Sequence, residues 1–288
     1  MALTKFDDQF EPSSGKDRRI MLMSLFVIDR DKCNRDGLCV AACPARIIKL
    51  RGPVPTPVDR AEEMCINCGH CVAICPSGAI LHRAMMPEQC PPVRKSLNIS
   101  PEQAEQFLRA RRSIRSYKRD PVDRELITKI IQIASHAPSA SNSQPVRWLV
   151  IYDSDEVKRL VGIAVDWMRS LAQENPRLGE IVSAWDAGID IIGRNAPHVI
   201  VAYAQEDNRM AAGDCTIALT YLELAAFSLE VGACWAGFFI GALNSWPRMS
   251  EALKLPEGHK SYGAMLIGYA KYKYRLMPIR NEPQIMWR

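Results

Sequence analysis

Residues 65–76 read CINCGHCVAICP, a run of Cys65-x2-Cys68-x2-Cys71-x3-Cys75-Pro76 that decides how the N-terminal third of the chain folds. Four cysteines so close, the last before proline, supply the soft anionic sulfur that iron–sulfur clusters require. Zinc also takes paired Cys-x2-Cys ligands. A third cysteine at the next x2 and a degenerate copy upstream, Cys33-x5-Cys39-x3-Cys43-Pro44, favour iron–sulfur over zinc.

The spacing is that of the bacterial ferredoxin run, in which three thiolates hold one cluster and the fourth crosses to the other. Under that rule one 4Fe-4S cluster takes Cys65, Cys68, Cys71 and Cys43. The other takes Cys33, Cys39, Cys75 and whatever serves at position 36, where Asp36 stands in place of a cysteine. A carboxylate is a harder and weaker partner for that iron. Two readings stay open: an Asp36-ligated 4Fe-4S cluster or a 3Fe-4S cluster with a vacant corner, against an Asp36 that solvates a loop while water fills the corner. Cys90 is a linker thiol or a substitute fourth ligand, and His70 shields or tunes a cluster. The pattern resembles the two-cluster bacterial ferredoxins over residues 24–85, which implies two pseudo-symmetric halves that carry single electrons. Residues 23–90 hold eight Lys/Arg against seven Asp/Glu. So balanced a module suits a partner on the same chain better than one steered in by charge.

Seven of the ten cysteines lie between Cys33 and Cys75, a clustering that fits metal rather than disulfides. With 288 residues, 48% of them apolar, and a net charge of +5, the chain reads as two globular domains. The charge is too mild to suggest nucleic acid or membrane. Its N-terminus has no signal-peptide order, and no apolar run reaches the roughly 20 residues of a membrane span. The expected compartment is the reducing cytoplasm.

Around the cysteines, residues 1–22 form a polar tail and 23–90 the iron–sulfur domain. SLFVID (24–29) and AILHRA (79–84) read as strands, and RGPVPTPVDR (51–60), with three prolines, as an irregular connector. Residues 91–104 are the linker and 105–288 the second domain. There, Ser100-Pro101-Glu102-Gln103 is a helix start with a capping box. Asp120-Pro121 reads as another, with Leu126, Ile127, Ile130, Ile131 and Ala134 on one helical face. WLVIY (148–152), HVIVAYA (198–204) and GAMLIGYA (263–270) are candidate strands. Residues 214–231, DCTIALTYLELAAFSLEV, are apolar nearly all round and read as a buried helix. The pattern implies an α+β or α/β layer structure.

RARRSIRSYKR (109–119) holds six basic residues in eleven. It is either a solvated basic face or a site for the phosphate of a small cofactor, which Arg binds with planar, charge-assisted hydrogen bonds. No aromatic platform or zinc finger accompanies it, which argues against nucleic acid. Neither a P-loop nor a G-x-G-x-x-G is present. Lys271, Lys273 and Arg275 form a second basic piece.

Arg111-Arg112-Ser113-Ile114-Arg115-Ser116-Tyr117, then Ala137-Pro138-Ser139-Ala140-Ser141-Asn142-Ser143-Gln144-Pro145, then Cys234-Trp235-Ala236-Gly237-Phe238, then Gly268-Tyr269 with Lys273 and Arg275, follow in that order. Over residues 105–280 this resembles the FMN-dependent nitroreductase family, in its ferredoxin-fused branch. The resemblance implies an α+β fold and a homodimer with FMN at the interface. Arg111, Arg112, Ser113 and Arg115 would meet the ribityl phosphate and pyrimidine edge, and Lys273 and Arg275 would complete the phosphate site. Pro138, Ser139, Ser141, Asn142 and Gln144 belong to the flavin-binding loop, Asn142 and Gln144 reaching the ring from the neighbouring subunit. Cys234, Trp235, Ala236 and Gly237 would pass the flavin N5 edge. Two departures bear on specificity: Val146-Arg147-Trp148 follows Gln-Pro where a tryptophan is common, and Ala236-Gly237 stands where some members have Glu-Gly.

Trp148, Trp235 and Phe238 also read as core, Trp185 as core or substrate mouth, and Cys215 and Cys234 as buried packing residues. His136, His198 and His259 show no ligand spacing. No side-chain acid or base is evident. The expected activity passes electrons between clusters and flavin to a small electron-poor acceptor, a nitroaromatic or quinone, with NAD(P)H, a reduced ferredoxin or another redox protein as donor. The rivals are an electron-transfer module serving a partner protein, and a flavin reductase or dehalogenase on the same scaffold.

Overall fold

Gly37 (φ 73°) and Gly69 (φ 71°) turn the chain through the left-handed region at matching places in the two cysteine groups. Each leads into a one-turn helix, α1 (Leu38–Ala42) and α3 (His70–Ile74). The match extends further at a step of 32 residues: Arg35 with Asn67 and Arg46 with Gly78 also have positive φ. The internal repeat is therefore written into the backbone, and it sets Asp36 opposite Cys68.

The computed structural model describes residues 24–288, so the polar tail lies outside the described residues. The chain divides into two compact units, one ending at Asn98 and the other starting at Ile99. In the first, β1 (Phe26–Ile28) pairs antiparallel with β4 (Ile80–His82). The expected connector 51–60 is instead largely ordered. β2 (Ile48–Arg51) and β3 (Val54–Pro57) form a hairpin, followed by the short α2 (Ala61–Met64). Prolines are tolerated there because Pro55 and Pro57, two apart, share one edge of a two-stranded sheet, and each strand of such a sheet has a free edge. Among the described residues, a cluster of eight buried side chains, Phe26, Ile47, Ile48, Val72 and Ile80 among them, forms the core.

The second unit begins with α4 (Pro101–Ala110), where Ser100 and Gln103 form the expected capping box. The helix expected from Asp120-Pro121 starts later, as α5 (Arg124–Ala134) after Asp123. Val122 is fully buried and its N–H donates to His198 Nε2 at 2.9 Å, a tertiary contact that fixes the chain ahead of the helix. Ile127, Ile130 and Ala134 are its buried face. β5 (Arg147–Ile151), β6 (His198–Gln205), β7 (Gly232–Trp235) and β8 (His259–Gly268) form one antiparallel sheet in the order β5-β6-β8-β7. An antiparallel sheet covered by helices on both faces is an α+β fold.

One face packs on α5 and on α8 (Ala211–Ser228), whose residues Cys215, Leu219 and Leu222 are buried as the sequence suggested. Burial pushes the Cys215 thiol up to about 12, as an inert packing residue requires. The other face carries α6 (Ser154–Leu171), α7 (Pro176–Asp186), α9 (Gly237–Ser245) and α10 (Pro247–Leu253). Trp185 and Phe238 pack against that core, and Trp148 and Trp235 against the first. No helix among the described residues is long and apolar enough to cross a membrane.

Candidate functional site

Cys43, Cys65, Cys68 and Cys71 line one cavity, walled by Phe26, Ile47 and Ile48. These are the four residues that the crossover pattern groups together. Their proximity is felt at Cys71, whose thiol burial pushes up to about 11, with Cys43, Cys68 and Cys65 adding to the rise. Four cysteines around one cavity with apolar walls fit the sulfur donors that an iron–sulfur cluster requires.

The second set is Cys33, Cys39, Cys75 and Asp36. Burial raises the Cys39 thiol, and Cys75 and Asp36 lie close enough to add to it. Cys75 is pulled up by burial but held below its ordinary value by surrounding donors, Ala79 N–H first, at 3.2 Å from the sulfur. Cys33 is tied in through its amide to the Asp29 carbonyl at 3.0 Å. Asp36 Oδ1 accepts the Leu38 N–H at 3.0 Å, a turn-forming bond at the mouth of α1. Cys90 is exposed in the linker, at the end of a 3₁₀ turn. His82, which the sequence reading passed over, is buried in this unit with Nε2 3.6 Å from Cys65 Sγ.

In the second unit the basic segment leaves α4 and runs extended along the end of the sheet. Ile114 N–H bonds to Ala233 O at 2.9 Å, Lys118 N–H to Tyr269 O at 2.8 Å, and Lys271 N–H to Ser116 O at 2.9 Å. The approach depends on glycine. A Cβ on Gly232 would stand 2.9 Å from Gly268 O, and one on Gly268 would stand 2.8 Å from the Tyr117 ring. This seam brings the Arg112 guanidinium 5.5 Å from the centre of the Tyr274 ring, in the segment after β8 that carries Lys273 and Arg275. The buried Cys234 feels Arg115 and Arg194, so it sits within this field, though burial outweighs them and raises its thiol. Ala236 N–H is taken by Ala264 O at 3.0 Å, and Gly237 opens α9 with empty space where a Cβ would stand.

The 137–145 loop is a separate structure. Ser141, Asn142 and Gln144 have φ of 50°, 53° and 47°, left-handed conformations that non-glycine residues adopt at a cost and that cluster at functional sites. The loop is pinned by Ala140 N–H donating to Asp214 Oδ1 at 3.0 Å and by Gln144 N–H donating to Ser139 Oγ at 2.9 Å. Pro138, Ser139, Gln144, Trp148 and Asp214 line a cleft there. Arg111, in turn, is held by Glu223 at 2.8 Å. Asp214 and Glu223 both belong to α8, nine residues or about 13 Å apart along its axis. One helix thus anchors the loop and the basic segment at two separate places. The sequence signal for both anchors was a carboxylate inside an otherwise apolar helix.

A tandem-repeat cysteine unit followed along the chain by an α+β unit, with a basic segment bonded along the end of its sheet, points to an iron–sulfur oxidoreductase. The basic segment, with Arg111 oriented by Glu223, fits a phosphate-bearing cofactor. Comparison with known proteins agrees and is more specific. The chain belongs to the nitroreductase family, whose model matches residues 108–269, and residues 25–76 match a 4Fe-4S dicluster domain. A putative NADH dehydrogenase/NAD(P)H nitroreductase of Archaeoglobus fulgidus is 27% identical over 170 residues, 59% of this chain and 87% of that protein. Iodotyrosine deiodinase of Nematostella vectensis is 22% identical over 192 residues, 61% of this chain and 70% of that one. A nitroreductase with bound FMN from Bacteroides fragilis shares the fold, with a TM-score of 0.56 at 20% identity, over 65% of this chain and 99% of that chain.

Proposed function

We propose that the chain is an FMN-dependent oxidoreductase in which the cysteine unit passes single electrons to a flavin that reduces a small, flat, electron-poor acceptor of the nitroaromatic or quinone type. The observation that carries the proposal is the seam between residues 111–118 and the strand end at 269–271, because it joins the arginine-rich segment to the stretch of chain that leads to Lys273 and Arg275, the cations that a flavin phosphate needs. Arg111, Arg112, Lys273 and Arg275 hold the phosphate, Ser113 and Arg115 meet the ribityl chain and pyrimidine edge, and Cys234–Gly237 pass the N5 edge. The flavin supplies the exchange between one-electron and two-electron steps, and the protein supplies orientation and electrostatics. The Gly237 amide heads a nine-residue helix, so it lacks an intrahelical acceptor and can meet charge on the ring without titrating.

The active form in this proposal is a homodimer. The loop at Ser139–Gln144 and the basic segment are anchored about 13 Å apart on α8, which suits a site completed by Asn142 and Gln144 of a second copy. In the cysteine unit, Cys43, Cys65, Cys68 and Cys71 hold one 4Fe-4S cluster. Cys33, Cys39 and Cys75 hold the other as a 3Fe-4S cluster, with Asp36 standing where a fourth thiolate would be.

The test is an anaerobic absorption titration with NADH or NADPH, with iron and FMN determined on the same sample. Bleaching of both flavin and cluster bands makes pyridine nucleotide a donor. Bleaching only with dithionite or reduced ferredoxin makes the clusters the entry port. A preparation without flavin that none can be loaded into overturns the proposal. Nitroaromatic, quinone and halophenol acceptors assayed side by side separate the reductase reading from dehalogenation.

A further inference from the structure

We propose that His82 raises the redox potential of the cluster held by Cys43, Cys65, Cys68 and Cys71, by donating its Nε2 hydrogen to the Cys65 sulfur. The inference rests on the ligand set proposed above. His82 ends β4, pairs with Phe26 across the sheet and is 2% exposed. Its Nδ1 accepts the Ala84 N–H at 3.0 Å, so that nitrogen carries no proton. A neutral imidazole has one N–H, which this bond places on Nε2, 3.6 Å from Cys65 Sγ. The ring cannot turn over without leaving the Ala84 amide unpaired. Its N–H is therefore aimed by the backbone at a cluster ligand.

Reduction adds one electron to the cluster, and the added charge spreads onto the cysteine sulfurs. An N–H dipole pointed at one of them stabilises the reduced form more than the oxidised form, and the apolar walls of the cavity strengthen the effect. The internal repeat supplies a contrast. Thirty-two residues upstream of His82 stands Leu50, which has no hydrogen to donate. The bond is thus a feature of one half of the unit, and it helps to give two similar clusters different potentials.

The experiment is an EPR-monitored redox titration of the full chain, wild type against His82→Leu and His82→Gln. The expected result is a lower midpoint for this cluster in His82→Leu and partial recovery in His82→Gln, whose amide can still donate. The midpoint of the other cluster and the iron content should stay as in wild type. An unchanged midpoint in His82→Leu overturns the proposal. Should that variant lose iron, pulsed EPR of otherwise wild-type protein carrying ring-15N histidine decides, in a His70→Asn background that removes the other histidine at this cavity. Nitrogen coupling to the reduced cluster supports the bond, and its absence overturns it. Cys43→Ser tests the ligand set separately: an unaltered four-iron spectrum there rejects that assignment without bearing on the His82 bond to Cys65.

Discussion

Arg111 and Glu223, 112 residues apart in sequence, are joined by a 2.8 Å charge-assisted hydrogen bond at the edge of the second unit's core. Glu223 is nearly buried in α8 and Arg111 is about three-quarters buried at the end of α4. The bond fixes where the basic segment leaves the helix, and so where its other arginines lie. Such pairs are costly to break from one side, because the remaining charge stays behind without a partner.

Glu223→Gln should therefore destabilise the second unit by about 1–3 kcal/mol. It should also weaken FMN binding roughly tenfold, or about 1.4 kcal/mol, because Arg111 loses its orientation. Thermal melts and quenching of flavin fluorescence on titration measure the two effects. Tighter FMN binding would show that relief of charge repulsion outweighs orientation.

Asp36 Oδ1 is already engaged by the Leu38 amide, which makes the carboxylate a turn element as well as a candidate ligand. Asp36→Cys should raise the iron content from about seven to about eight per chain and remove a three-iron EPR signal from the oxidised protein. Iron analysis with EPR decides, and eight irons in the wild type would mean that the corner is filled without a thiolate.

Among the described residues, the first unit's hydrophobic cluster has eight buried members, few to hold so short a unit folded without help. Removing iron with an oxidant and chelator should unfold this unit, since its free energy of folding is largely that of cluster binding. The second unit should keep its melting temperature. Circular dichroism and proteolysis before and after iron removal test this, and a protected N-terminal unit in the iron-free protein would count against it.

His198 is a satisfied core histidine, with Nδ1 2.7 Å from Tyr152 O, Nε2 accepting from Val122, and the ring stacked on Tyr152 at 4.4 Å. Burial depresses its pKa below the ordinary 6.5, partly offset by the Tyr152 carbonyl. The unfolded chain then takes up the proton first, so stability is full above pH ~6.5 and falls with pH towards the folded value, by at most ~1.4 kcal/mol per pH unit. His198→Leu should lose that slope while starting about 1–3 kcal/mol less stable, because the Val122 amide is left buried without a partner. Urea unfolding between pH 5 and pH 8, a range chosen to bracket about 6.5, reads both effects.

Much of the chain's meaning is local and was open to reading in the sequence. Ligand spacing around Cys65–Cys75 and around Cys33–Cys43 is a matter of a few residues, and so is the capping box at Ser100 and Gln103. Runs of apolar residues pointed to strands at 148–152 and 198–204 and a helix at 214–231, which the structure places at 147–151, 198–205 and 211–228. What escaped was decided by contacts across long stretches of chain. Proline content argued against the β2–β3 hairpin, because sequence does not say which edge of a strand will stay free. Asp120-Pro121 had the chemistry of a helix start, but the helix begins at Arg124, after a Val122 that is fully buried and bonded to His198, 76 residues on. Glu223, Asp214 and His82 carry no motif. Each matters because folding buries a polar group, and a buried polar group must find the one partner that the tertiary structure brings within reach.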